Sequence, residues 1–246
     1  NTLDFDNVAP ELTVSVDALS NDSTPVISGT TDMGQGTVIN ITVSDSEGES
    51  QAFTATVQAG GDWSVAVPAE LAQGQYTVVA EVRDSVGNLT TQQAQGEIDS
   101  VDPTLIVNEV NATIDTTPTI SGTSNEIGAD VSIIIGGQTL TATVGTDGNW
   151  QVDVPVALVD GDYTAQVSIT DDANNTSSTT IDLTIDTQVP VIVLNDITVF
   201  NTNTPIISGT SAEPQDTVVD IVITDSNGDI HTLTAIVDAN GDWQVT

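Results

Sequence analysis

Apolar and polar positions alternate along most of the chain, which is the pattern of β-strands with one buried face. In one such stretch Tyr76, Val78, Ala80 and Val82 occupy every second position, and residues 163–169 repeat the arrangement. Val, Ile and Thr dominate these stretches, while Gly, Asn, Asp and Pro separate them at short intervals. No stretch shows the 3.6-residue period of an amphipathic helix. The pattern therefore predicts an all-β protein.

The spacing of the turn residues divides the first part of the chain into short strands. Seven are predicted, at 11–17, 24–30, 37–44, 52–58, 62–67, 75–83 and 89–98. Two facing sheets are needed to bury their inward side chains, because a single sheet would leave one apolar face open. Seven short strands in about 90 residues predict an immunoglobulin-like β-sandwich.

The chain contains an internal repeat. The phrase Thr-Pro-x-Ile-Ser-Gly-Thr begins at Thr24, Thr117 and Thr204. A phrase used three times indicates one structural unit used three times. We expect tandem immunoglobulin-like domains with the following boundaries: the tail of a preceding repeat at 1–6, repeats at 7–99 and 100–186, and an incomplete repeat at 187–246 that lacks its last strands.

Each repeat also carries a Trp, and the first two carry a Tyr 13 residues later. The Pro-to-Trp distance is 38, 32 and 38 residues in the three repeats, so we expect one shortened hairpin in the second, closed by Gly136 and Gly137. The aromatic residues are expected in the core, and Tyr76 and Tyr163 stand where a tyrosine corner would form. Aromatic platforms for sugar stacking would need exposed rings instead.

Charge is the extreme feature of the composition. The chain has 36 acidic residues, one Arg, one His, no Lys and no Cys, for a net charge of −35. Repulsion from phosphates excludes nucleic acid as a partner and disfavours anionic membranes. An enzyme is disfavoured because Cys and Lys nucleophiles are absent and the only His lies in one repeat. An acidic surface can serve solubility alone, but this balance also favours a cation as partner.

Acidic and amide side chains concentrate in the linkers and in the loops predicted to face them. Several carboxylates that converge repel one another unless a cation is bound. Ca²⁺ accepts six to eight oxygen ligands in flexible geometry, whereas Zn²⁺ favours Cys and His. The competing interpretation is that Asp and Asn only stabilise turns through their own backbone. The candidate calcium ligands are Asp4, Asp6, Asp32, Asp84, Asn88, Asp99, Asp102, Glu126, Asp171, Asp172, Asn175, Asp186 and Glu213.

A family resemblance accompanies these motifs. Asp-x-x-x-Pro at Asp6 and Asp99, the repeated Thr-Pro phrase, Asp-Gly-Asn-Trp at Asp147, Gly-Asp-Tyr-Thr at Gly161 and Asp-x-x-x-Asn at Asp84 recur through the chain. Together they resemble the bacterial immunoglobulin-like repeats of giant surface adhesins of the biofilm-associated and RTX type.

The resemblance implies a secreted, cell-surface array of extender domains that holds a binding tip away from the cell, with calcium at the junctions. Its expected partners are calcium ions and neighbouring repeats of the same chain, which would form a monomeric array without direct membrane insertion. The alternative is an Ig-like module that itself binds a glycan or a protein. In that case one repeat would diverge in its loops.

Overall fold

A computed structural model describes residues 6–196 and 204–246, and the described chain is all-β. It divides into two compact units, Asn1–Ile185 and Asp186–Thr246, each of which is described by itself. The first unit contains two sandwiches in tandem, and the second contains the strands of the third repeat. This confirms the predicted fold class of immunoglobulin-like β-sandwiches, although the exact repeat boundaries stay predictions. Asp4 lies outside the described residues.

The first repeat places its strands in two sheets. Strands β3-β2-β5-β6 form a four-stranded antiparallel sheet, and β1 pairs with β4. The strands are β1 (Val26–Thr30), β2 (Val38–Ser44), β3 (Ser50–Thr56), β4 (Asp62–Ala66), β5 (Gly74–Arg83) and β6 (Leu89–Ile98). The predicted strand at 11–17 lies beside β1 but makes only two isolated bridges, Leu12 to Thr31 and Ser15 to Ser28. It is therefore an edge segment and not a continuous strand.

The second repeat has the same topology with a true first strand. Sheet β10-β9-β12-β13 faces sheet β11-β8-β7. The strands are β7 (Leu105–Val107), β8 (Thr119–Ser124), β9 (Asp130–Ile135), β10 (Gln138–Thr143), β11 (Asn149–Asp153), β12 (Gly161–Thr170) and β13 (Thr176–Ile185).

The second unit contains a three-stranded sheet, β14-β15-β18, and the pair β16-β17. The strands are β14 (Ile192–Leu194), β15 (Ile207–Ser211), β16 (Val218–Thr224), β17 (Ile230–Ile236) and β18 (Asp242–Val245).

The shortened hairpin is confirmed with one correction. Ile135 pairs with Gln138 across Gly136 and Gly137, whose φ angles are 54° and 77°. Positive φ at both positions is what a two-residue type I′ turn requires. The segment from Pro to Trp is six residues shorter in the second repeat than in the first, and the hairpin accounts for only five of them. Val38 and Asp130, which begin the equivalent strands β2 and β9, are 92 residues apart, whereas Thr56 and Thr143, which end β3 and β10, are 87 residues apart. The repeated phrase is offset by 93 residues, from Thr24 to Thr117, so the sixth residue is missing from the turn that precedes β9.

Each repeat has its own hydrophobic cluster, built from the inward residues of both sheets. The predicted core Trp residues are confirmed, since Trp63, Trp150 and Trp243 are 1%, 2% and 3% exposed. Each Trp pairs across the sheet with the Gly of the repeated phrase, for example Trp150 with Gly122. The indole lies over this Gly, so these rings are not available for sugar stacking.

The tyrosine corner forms in the second repeat only. The Tyr163 hydroxyl donates to the Val159 carbonyl at 2.9 Å, which confirms the prediction there. The Tyr76 hydroxyl is buried without a hydrogen-bond partner among the described residues, so the prediction is wrong for the first repeat. The cross-strand partner decides this difference: Tyr76 pairs with Gly96, which leaves room for the ring, whereas Tyr163 pairs with Leu183. Burial and then the charge of Asp17 raise the pKa of Tyr76.

Candidate functional site

The linker between the first two repeats lies within the first unit and is held by the second repeat. The Asn175 side-chain amide donates to the Asp99 carbonyl oxygen at 2.7 Å. The Ser177 hydroxyl donates to the Pro103 carbonyl oxygen at 2.5 Å. Asn175 is buried and lies just before β13, so the start of that strand positions both donors.

The same linker is held from the first repeat by Gln73, just before β5. Its side-chain amide donates to a carboxylate oxygen of Asp99 at 2.8 Å. The Gln73 side-chain oxygen accepts from the Ser100 backbone N–H at 3.0 Å. The carboxylate of Asp99 therefore faces the first repeat, while its carbonyl faces the second.

These contacts recur at the linker before the first repeat. The Asn88 side-chain amide donates to the Asp6 carbonyl oxygen at 3.3 Å. The Thr90 hydroxyl donates to the Pro10 carbonyl oxygen at 2.5 Å. Two successive linkers are thus held by equivalent donors on equivalent strands.

A third contact fixes the start of each repeat. An Asp32 carboxylate oxygen accepts from the Glu11 backbone N–H at 2.9 Å, and the Asn125 side-chain oxygen accepts from the Thr104 backbone N–H at 2.6 Å. Asp32 therefore serves its own repeat's entry segment. Asn125, Ser177 and Gln73 were missed from the sequence. The alignment of the two repeats could have indicated Asn125, because it occupies the position of Asp32.

The loops that carry Asp84 and Asp171 are closed by the Asp side chains themselves. One Asp84 oxygen accepts the backbone N–H groups of Val86, Gly87 and Asn88 at 2.7–3.0 Å, and the other accepts the Asn88 amide at 2.6 Å. Desolvation acts to raise the pKa of Asp84, but the hydrogen bonds from Asn88, Gly87 and Val86 outweigh it and lower the pKa.

Asp171 is held in the same way. One of its oxygens accepts the Asn175 backbone N–H and the other accepts the Asn175 side-chain amide, both at 2.8 Å. Turn stabilisation is therefore a demonstrated role of both Asp residues.

Four candidate carboxylates of the second junction interact electrostatically. Burial raises the pKa of Glu126, and the negative charges of Asp171, Asp99 and Asp172 raise it further. The hydrogen bond from the Asn125 amide opposes this shift. The expected convergence of the acidic side chains of the linker and of the facing loops stays a prediction.

These carboxylates do not form a closed ligand set in the described part of the chain. Within residues 6–196 and 204–246 no three His, Cys, Asp or Glu side chains are grouped closely enough to hold one metal ion. Asp102 and Asp172 point outward as exposed residues. An Asp6 oxygen accepts the Val8 N–H, an Asp186 oxygen accepts the Gln188 N–H, and the backbone N–H of Glu213 donates to the Ser211 hydroxyl. The predicted calcium ligands therefore stay a prediction.

Comparison with known proteins places the chain in a family. The family model for the bacterial Ig-like domain matches residues 13–100 and 103–187, which is more than half of the chain. The chain belongs to the bacterial Ig-like domain family. Bacterial Ig-like domains are structural modules, so the chain is not an enzyme. No curated protein matched the sequence.

Several solved structures are similar to these bacterial Ig-like domains. A tetra-tandem repeat in the extending region of a large adhesion protein is 34% identical over 96% of this chain and 65% of its own, with a TM-score of 0.34. A Ca²⁺-stabilized adhesin that helps an Antarctic bacterium reach out and bind ice is 28% identical over 98% of this chain and 66% of its own, with a TM-score of 0.41. The chain thus spans just under two thirds of either structure. With TM-scores below 0.5, neither superposition carries an argument about function.

The bacterial Ig-like chain has no helix that is long and apolar enough to cross a membrane in the part that the structure describes.

Proposed function

We propose that this chain is an extender segment of a large bacterial surface adhesin, which spaces a distal binding domain away from the cell. The observation that carries the proposal is that equivalent side chains hold the linker at two successive repeats, and we call this set of hydrogen bonds the linker clamp. Asn88 and Asn175 bind the linker carbonyls of Asp6 and Asp99 in the same way. A module used for spacing needs its junction to be repeated, whereas a ligand-binding module needs one repeat to differ.

The clamp acts on both sides of the linker. Gln73 holds residues 99–100 from the first repeat, and Asn175, Ser177 and Asn125 hold the linker from the second. A net contribution of about 1 kcal/mol for each hydrogen bond makes the set worth several kcal/mol. That free energy favours one angle between the two sandwiches.

Calcium is the proposed second component of the junction. Burial, and then the negative charges of Asp171, Asp99 and Asp172, raise the pKa of Glu126, so ionised Glu126 is disfavoured at this junction. A divalent cation offsets these negative charges, and Asp, Glu and carbonyl oxygens are its preferred ligands. Extracellular modules bind Ca²⁺ at about 10⁻⁴–10⁻³ M, so the junction would be loaded outside the cell. The proposal rests on the junction contacts.

Calorimetric titration of the chain with Ca²⁺ tests this role. We expect binding in the range of about 10⁻⁴–10⁻³ M that is at least tenfold weaker in the double variant Glu126→Gln, Asp172→Asn, since both side chains contribute charge and Asp172 is exposed. Asp220→Asn on β16 is the matched control and should bind as the parent does. No saturable binding, or equal binding by all three proteins, would contradict the calcium component.

A further inference from the structure

The tip of the β16–β17 hairpin carries one of the two Asn-Gly pairs in the sequence. These pairs are Asn227-Gly228 and Asn240-Gly241. Glycine has no side chain, so its backbone nitrogen can approach the side chain of the residue that precedes it. Asparagine is also among the thermolabile residue types. Both Asn residues are exposed, so each pair is a candidate for chemical modification.

The reaction at such a pair needs only the chain and water. The Gly nitrogen loses its proton and attacks the carbonyl carbon of the Asn side chain. The new C–N bond closes a succinimide ring, and the side-chain nitrogen leaves as ammonia. Water then opens the ring at either of its two carbonyl groups. One product is Asp, and the other is isoaspartate, in which the main chain runs through the former side chain and is one methylene longer.

The hydrogen bonds of the turn at Asn227 come from the hairpin itself. The Gly228 N–H donates to the Asp225 carbonyl oxygen at 3.1 Å. A carboxylate oxygen of Asp225 accepts the backbone N–H groups of Asn227 and Asp229 at 2.8 and 3.0 Å. Release of the Gly228 nitrogen therefore requires only a local opening of the hairpin tip.

The first repeat shows the same turn in a sandwich with both sheets in place. The Gly48 N–H donates to the Asp45 carbonyl oxygen at 3.2 Å. Glu47 stands in the place of Asn227 and is exposed, and nothing lies within 4 Å of a Cβ added to Gly48. Glu47 has no amide to lose as ammonia, and the second repeat has Gly136-Gly137 at its turn. Among the three hairpin tips, the chemistry is therefore confined to Asn227.

The turn at Asn240 is tied to a neighbouring strand. The Gly241 N–H donates to the Asp238 carbonyl oxygen at 3.0 Å, as in the hairpin tip, but the Gly241 carbonyl oxygen also accepts the Ser211 N–H at 2.7 Å. A Cβ on Gly241 would lie 2.7 Å from the Ser211 carbonyl oxygen, so the two backbones are in close contact. The corresponding bond is present in both preceding repeats. Ring closure at Asn240 must therefore release the end of β15 as well as the turn.

We propose that Asn227 is a site of spontaneous deamidation, at which the third repeat gains a carboxylate as the molecule ages. The Asn227 and Asp229 N–H groups share one oxygen of Asp225, and the longer main chain of isoaspartate displaces one of these donors. The isoaspartate product therefore loosens the β16–β17 hairpin. The Asp product resembles Glu47 of the first repeat and leaves the turn intact.

Timed incubation of the full chain at neutral pH tests the proposal. Mass spectrometry of peptic peptides gives the fraction of Asn lost at each site, and methylation by an isoaspartyl methyltransferase reports the isoaspartate formed. We expect Asn227 to be lost about fivefold faster than Asn240, because the additional hydrogen bond from Ser211 must open only at Asn240. In urea the two rates should become equal, since neither turn is folded.

Two variants separate the products. Asn227→Gln should abolish the isoaspartate signal of the hairpin tip. Freshly prepared Asn227→Asp should keep the hydrogen-exchange protection of β17, whereas the isoaspartate product should lose it. Equal rates at the two sites in the folded chain, faster loss of Asn240, or full protection of β17 in the isoaspartate product would each overturn the proposal.

Discussion

At the scale of single residues, one close contact explains the Gly of the repeated Thr-Pro-x-Ile-Ser-Gly-Thr phrase. A Cβ placed on Gly122 would lie 2.0 Å from the Ile106 carbonyl oxygen and 2.5 Å from the Trp150 ring. A Cβ on Gly29 or Gly209 would likewise lie too close to a backbone carbonyl oxygen and to a Trp ring. The glycine is thus required for packing of the Trp and the first strand, and the phrase is repeated because each sandwich needs it.

Replacing Gly122 should therefore destabilise the second repeat more than the other repeats. We expect Gly122→Ala to destabilise the second repeat by about 1–3 kcal/mol, since both the backbone and the indole must shift. Gly34→Ala is the matched control: nothing lies within 4 Å of its added Cβ, and its φ is not positive. Urea unfolding followed by Trp fluorescence measures both variants. A loss below 0.5 kcal/mol for Gly122→Ala, the usual range of surface changes, would refute the packing argument.

The raised pKa of Glu126 predicts a dependence of stability on pH. The folded state holds its proton more tightly than the unfolded state, so stability falls as pH rises from the ordinary pKa of 4.5 through the folded pKa. In the presence of a chelator, Glu126→Gln should be more stable than the parent at pH 7, and the difference should disappear below pH 4.5. Urea unfolding at the two pH values measures this.

Glu81→Gln on β5 is the control for removal of one carboxylate from so acidic a chain. If it stabilises the chain as much as Glu126→Gln does, the effect belongs to the net charge of −35 and not to the junction.

At the scale of strands and linkers, sequence reasoning predicted most of the sandwich but less of the junction. Alternation marked the strands, since apolar burial dictates it. The sequence predicted a full strand at 11–17, whereas the structure shows only two isolated bridges there. An alternating pattern does not reveal whether an edge segment forms all of its backbone hydrogen bonds to the neighbouring strand. Gln73 and Ser177 could not be predicted as clamp residues, because Gln and Ser carry no pattern and their partners are backbone groups distant in sequence.

The clamp predicts a local change when one acceptor is removed. Asn125→Ala deletes the partner of the Thr104 N–H. That amide should exchange about fivefold faster, the equivalent of about 1 kcal/mol for one hydrogen bond. Asn125→Asp should restore protection, because Asp32 performs this role in the first repeat. Asn240→Ala, in the loop before β18, is the control. Hydrogen exchange that stays unchanged in Asn125→Ala would show that the contact does not hold the linker.

At the scale of the whole molecule, the chain is a series of repeats whose junctions carry the same hydrogen bonds. The Trp side chains and Tyr76 are buried, so these four rings are not part of the described surface. A net charge of −35 makes copies of the chain repel one another. The proposed calcium ions would offset this repulsion at the junctions, and the proposed spacing function uses both properties.

The most direct test measures the distance between the first two repeats. Because the chain contains no Cys, Thr54→Cys on β3 and Thr141→Cys on β10 introduce two specific spin-label sites at exposed positions. Pulsed electron paramagnetic resonance then gives the distribution of distances across the linker. We predict one narrow distribution in millimolar Ca²⁺ that broadens in chelator, and no calcium response when Glu126→Gln and Asp172→Asn are added. A distribution whose width does not respond to calcium in the parent chain would contradict the account.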